Sequence, residues 1–138
     1  MIAVDTSVIA ALVLPTSDST IAAAMLLSSD RDWVAPLLWR SELTNILATG
    51  TRNEWFTLDQ ALEALSTAEE LMDGGEYQVP APDVLRLASE TGCTGCDCEF
   101  VVLARDLDVK LVTLDRQILK GFPGTAIALS EFRPGSSP

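Results

Sequence analysis

Four carboxylates stand where they could do chemistry: Asp5 in Val4-Asp5-Thr6-Ser7, Glu42 in Ser41-Glu42-Leu43, Asp97 in Cys96-Asp97-Cys98, and Asp115 in Leu114-Asp115-Arg116. Asp5 and Asp115 directly follow short apolar runs, the position at which an open α/β sheet presents its ligand-binding residues. Acids far apart in sequence but close in space repel one another unless something positive joins them. The chain has only nine basic residues, and of these Arg40, Arg116 and Arg105 are the ones near an acid of this set in sequence. A divalent cation is the expected neutraliser. Mg²⁺ or Mn²⁺ is held at ~2.1 Å by a few carboxylates and several waters.

Histidine is absent. That removes the Ser-His-Asp and Cys-His triads, the commonest general base, and most catalytic zinc sites. Cys93, Cys96 and Cys98 are an odd number crowded into six positions, which is no disulfide framework, and three thiols lack a fourth zinc ligand. They read as small buried or half-buried thiols flanking a turn and a helix start. The net charge of −11 argues against a basic nucleic-acid surface. Two divalent ions would remove four units of it, and the remainder favours a basic protein partner.

The elements that must position the acids follow from the apolar pattern. Strands are expected at Ile2–Val4, Trp33–Ala35, Tyr77–Val79, Lys110–Leu114 and Thr125–Leu129. Between them, helices are expected from Thr6 to Leu14 (stopped by Pro15), Ser17 to Ser28 (capped by Ser17 or Ser19) and from near Pro36 through Glu42 to a break at Gly50–Thr57. Further helices are expected at Leu58–Met72, Asp83–Glu90, Asp97–Asp106 after a turn at Gly95, and Asp115–Leu119. Strands alternating with helices predict a three-layer α/β/α sandwich with a mainly parallel sheet of four to five strands. The 138 residues make one domain, residues 1–132, with residues 133–138 a disordered tail. The longest apolar run, Val8 to Leu14, is far short of the ~20 residues that cross a membrane. Asp5 before it argues against a signal peptide, and a cytoplasmic location is expected.

Each acid also has a structural reading. Asp5, Asp97 and Asp115 could cap the helices that follow them, and Glu42 could lie on a solvated face. Their combination is harder to explain that way. Asp5 and Asp115 share the carboxyl edge of the sheet, Glu42 has apolar neighbours at Leu38, Leu43, Ile46 and Leu47, and Asp97 precedes Phe100 and Val101 by one helical turn.

With the four acids in place, the chain resembles the PIN-domain ribonucleases, and among them the VapC-type toxins of toxin–antitoxin pairs. The resemblance runs from Ile2 to about Phe132. It is carried by Val4-Asp-Thr-Ser-Val-Ile-Ala, Ser41-Glu-Leu-Thr-Asn-Ile-Leu, Asp97-Cys-Glu-Phe-Val-Val-Leu-Ala and Leu111-Val-Thr-Leu-Asp. It implies a Mg²⁺- or Mn²⁺-dependent endoribonuclease whose acidic quartet is Asp5, Glu42, Asp97 and Asp115, with Thr6 and Thr113 as supporting hydroxyls. Before the third acid such sequences often carry Ser or Tyr, where this chain has Gly95 and Cys96.

The same resemblance implies a homodimer and a basic antitoxin whose C-terminal segment places an Arg or Lys among the carboxylates. Trp39 reads as core, while Trp55 and Phe56, in the polar stretch Thr51–Thr57, read equally as core or as partner contacts. Competing readings are an RNA-processing nuclease without an antitoxin, an inactive PIN-like binding module, and a Mg²⁺-binding phospho-acceptor signalling domain. The last would need paired acids after the first strand and a Lys after the final one.

Overall fold

The computed structural model of the chain describes residues 1–14 and 18–133. Pro15, Ser17 as a cap, and residues 134–138 of the expected tail lie outside them. Five short strands form one sheet: β1 Ile2–Val4, β2 Trp33–Pro36, β3 Glu76–Tyr77, β4 Leu111–Thr113 and β5 Ala126–Ala128. They lie in the order β3-β2-β1-β4-β5, and every pairing is parallel. The helices are α1 Thr6–Val13, α2 Thr20–Ser29, α3 Trp39–Arg52, α4 Leu58–Leu71, α5 Ala81–Glu90, α6 Gly95–Asp106 and α7 Arg116–Gly121, with a 3₁₀ turn at Leu129–Glu131.

Strands with no polar face need cover on both sides. Ile2, Ala3, Val4, Val34, Leu111 and Val112 are all buried. Helix α1 packs against α2, α3 and α4, while α5 packs on α6, which crosses β1, β2 and β4. Right-handed crossovers put the first four helices on one face and α5 to α7 on the other, giving the three-layer α/β/α sandwich. The chain leaves β1 toward β2 on one side and reaches β4 on the other, so the sheet order reverses between β1 and β4. A crevice opens there at the carboxyl ends of the strands.

Local chemistry moves several boundaries. Pro36 closes β2 opposite Tyr77 instead of opening the next helix, which starts at Trp39. Gly50 is not a break: it sits inside α3, where a Cβ would come within 2.2 Å of the Phe56 ring. Phe56 is accordingly core, as is Trp39, whereas Trp55 is 62% exposed. Helix α4 opens on a capping box between Thr57 and Gln60. Pro82 lets α5 begin at Ala81, two residues earlier than Asp83. Helix α6 begins at Gly95, because the Thr94 hydroxyl accepts the Asp97 N–H at 3.1 Å and caps it. Thus Asp97 is in the first turn of α6 and is not its cap. Among the described residues, no helix is long and apolar enough to cross a membrane.

The edge pairing of β3 with β2 depends on Gly75. Its carbonyl accepts the Ala35 N–H at 2.9 Å, and a Cβ at this position would lie 2.1 Å from the Trp33 carbonyl oxygen. A backbone atom cannot turn aside as a side chain can. Gly75→Ala is expected to destabilise the fold by about 1–3 kcal/mol, the usual cost of overpacking, in urea unfolding. Wild-type stability would contradict this account of the edge.

Candidate functional site

All four acids line one cavity of 110 Å³ at the β1/β4 crevice, together with Thr6, Ser7, Phe100 and Ile118. Asp5 comes from the end of β1, Glu42 from the first turn of α3, Asp97 from the first turn of α6, and Asp115 from the exit of β4. Elements separated by the whole length of the chain therefore meet at one point. Larger clefts exist, among them one of 390 Å³ beside Met25, Leu129 and Phe132, but no set of acids converges in that one.

Asp5 is the most confined member, 5% exposed. Its Oδ1 accepts from the Ser7 hydroxyl and from the Val8 N–H at 3.3 Å, and its Oδ2 accepts from the Thr113 hydroxyl. Glu42 accepts from the Thr6 hydroxyl at 2.7 Å. Asp115 Oδ1 accepts from the N–H groups of Gln117 at 2.8 Å and Ile118 at 3.4 Å. Asp5 and Asp115 are thus helix caps and cavity walls at once. A carboxylate has about four lone-pair sites, so the two roles do not exclude each other.

No described cation is spent on this group. Among the described residues, no ion pair reaches any of the four acids. Arg40, two residues from Glu42, turns away: it grips Glu76 at 2.6 and 2.8 Å and Glu69 at 2.8 Å, and lies over the Trp39 ring. Arg105 donates to Thr125 and stacks on Phe122. Burial first, and the neighbouring negative charge after it, raise two of these carboxyls. Burial pushes the Asp5 carboxyl up from 3.8 to about 6 despite its hydrogen bonds, and Asp115 adds to the rise. Burial and then Asp115 push Asp97 up as well.

The donor set consists of carboxylate and hydroxyl oxygens, which suits a hard cation. Among the described residues, however, no three Cys, Asp or Glu side chains stand close enough to hold an ion by themselves. This arrangement fits Mg²⁺ or Mn²⁺ that keeps several waters and takes one or two carboxylates directly, which is the habit of Mg²⁺. It does not fit a fully dehydrated, protein-caged ion.

One neighbour of the site escaped the sequence. Ser7 is the second hydroxyl on Asp5, and its own partner, the Leu114 N–H at 3.1 Å, is 107 positions away, so no local pattern could have flagged it. Glu99 lies roughly 200° around α6 from Asp97, which on spacing alone puts it on another face. Burial and then Glu42 push its carboxyl up, although the cleft it lines is a separate one beside Val79, Leu85 and Gly95. The cysteines are all free; Cys93 and Cys98 are buried and Cys96 is exposed. Burial raises all three thiols, and nearby acids raise them further, which suppresses the reactive thiolate.

These features define an all-parallel α/β/α domain with an acidic cavity at its topological switch point. No protein-family profile matches the chain, and no curated protein matches it. Among solved structures, the chain is similar to the crystal structure of PAE2754 from Pyrobaculum aerophilum, with a TM-score of 0.69 and 24% sequence identity over 93% of this chain and 90% of that one. That likeness bears on the fold.

The raised Asp5 carboxyl gives a signed pH dependence. Because its folded value lies above its unfolded one, the native state holds the extra proton between pH 3.8 and about 6. Wild-type stability, measured against Asp5→Asn to cancel other titrations, is expected to fall across that window by on the order of 2–3 kcal/mol and to stay level outside it. A flat difference would show that Asp5 is not held in a desolvated site.

Proposed function

We propose that this protein is a Mg²⁺- or Mn²⁺-dependent endoribonuclease that hydrolyses RNA phosphodiester bonds at the cavity lined by Asp5, Glu42, Asp97 and Asp115. One observation carries the reading. Four carboxylates from four separate elements line one cavity, and no described cation pairs with any of them. Such an arrangement is unfavourable for folding alone, and a phosphate could not approach it without positive charge. When bound, a divalent ion supplies that charge and lowers the pKa of its water, so the absence of histidine is no obstacle. The resemblance of the sequence to PIN-domain ribonucleases and VapC-type toxins points the same way.

Asp5, Glu42 and Asp97 are assigned to the main ion, one or two of them directly and the rest through its waters. Asp5 is held rigid by Ser7 and Thr113, and Glu42 is held by Thr6. Asp115 keeps Oδ2 clear of the helix-capping contacts made by Oδ1, and serves to orient the attacking water or to bind a second ion. The expected role is that of a toxin restrained by a basic antitoxin, and the net charge of −11 suits such a partner. Trp55, exposed at the α3–α4 corner, is the aromatic residue left available for contact with an antitoxin or a second copy.

The direct test is cleavage of a mixed RNA pool by purified protein in Mg²⁺, Mn²⁺ or EDTA. Cutting is expected with either metal and none in EDTA or with Asp5→Asn; metal-independent cutting, or folded protein that neither cuts nor binds Mn²⁺, would end the proposal. If Asp115 stands behind the ligands of the main ion, Asp115→Asn is expected to lose about 10- to 100-fold in rate, the range for such outer groups, and less than the same change at Asp5, Glu42 or Asp97. Equal losses at all four would refute this division of roles.

A further inference from the structure

We infer that Ser7 is a positioning residue for Asp5, half of a two-hydroxyl clamp built from the exit of β4, and that the clamp makes Asp5 a one-point ligand. The inference rests on the metal-site reading above. The Ser7 hydroxyl accepts the Leu114 N–H at 3.1 Å and donates to Asp5 Oδ1. The Thr113 hydroxyl accepts the Asp115 N–H at 2.9 Å and donates to Asp5 Oδ2. In both cases a backbone N–H fills an acceptor site on the hydroxyl, and the hydroxyl proton goes to the carboxylate. The arrangement has a consequence that a lone hydrogen bond would not. Two consecutive backbone N–H groups of one loop direct two hydroxyls onto the two oxygens of a single acid, so the carboxylate plane cannot rotate.

The lone pairs of Asp5 are nearly all taken. Oδ1 accepts from Ser7 and from the Val8 N–H at 3.3 Å, which uses both its sites, while Oδ2 accepts from Thr113 and keeps one. Asp5 can therefore offer a cation one lone pair, on Oδ2. Without Ser7, Oδ1 regains a free site and the plane is pinned from one side only. Ser7 touches neither a cation nor RNA in this scheme; it acts through Asp5.

The test is Mn²⁺ titration followed by electron paramagnetic resonance of the free ion, beside thermal melting of the metal-free proteins. Ser7→Ala is expected to bind Mn²⁺ about 10- to 100-fold more weakly than wild type, as other groups that orient a metal ligand do, while melting within a few degrees of it. Ser7→Thr keeps the hydroxyl and is expected to restore the affinity. Should Ser7→Ala fail to fold, Ser7→Cys, of similar shape but a poor donor, takes its place under the same expectation. Wild-type affinity in Ser7→Ala or Ser7→Cys would overturn the clamp and leave the metal site standing, as would Ser7→Thr binding no better than Ser7→Ala. Wild-type protein that binds no Mn²⁺ would overturn the metal-site reading and the clamp with it.

Discussion

The parallel pairing of β1 with β4 is the contact on which the rest depends. Ala3 and Val4 register against Leu111 and Val112, and the Asp5 N–H reaches the Val112 carbonyl at 3.3 Å. That ladder sets the first acid of the chain beside a strand exit more than a hundred residues later. Thr113 and Asp115 then fall next to Asp5 with no further adjustment. Because β1 and β4 are also the strands at which the sheet order reverses, the crevice they frame is not covered by a connecting helix. Helices α3 and α6, one from each layer, bring Glu42 and Asp97 to its walls.

The cost of this arrangement is electrostatic. A carboxylate as buried as Asp5 loses its hydration, and three hydrogen bonds do not compensate, so its proton is held to about pH 6. Folding alone would favour an apolar residue there. Elsewhere the chain handles a half-buried charge in the usual way: Glu76 is gripped by Arg40 and the Trp39 N–H, and its acidity is strengthened accordingly. Glu76 is neutralised by the protein and Asp5 is not. That contrast is the support for the proposed cation at the crevice.

Much of this was legible in the sequence because the signals were local. Apolar runs bounded by Asp, Pro and Gly located four strands, while β3, expected at Tyr77–Val79, lies at Glu76–Tyr77; the alternation with helices implied the layered fold. The four acids were visible because two follow strands and two lie on helix faces with apolar neighbours. The misreadings were also local in origin. Gly50 looks like a helix break, yet it accommodates the Phe56 ring, a tertiary demand that propensity does not contain. Gly95 reads as a turn, but Thr94 caps the helix one residue before it. Treating Asp5 and Asp115 as either caps or site residues set up a false choice, since a carboxylate has oxygens enough for both. Ser7 was not legible, because its contact with the Leu114 N–H comes from another element.

Anomalous scattering from crystals soaked in Mn²⁺ tests the central claim most directly. A peak is expected in the cavity between Asp5, Glu42, Asp97 and Asp115, with water completing the coordination and Asp5 contributing one oxygen. Manganese absent from that cavity in well-ordered crystals, or bound only at surface acids elsewhere, would contradict it.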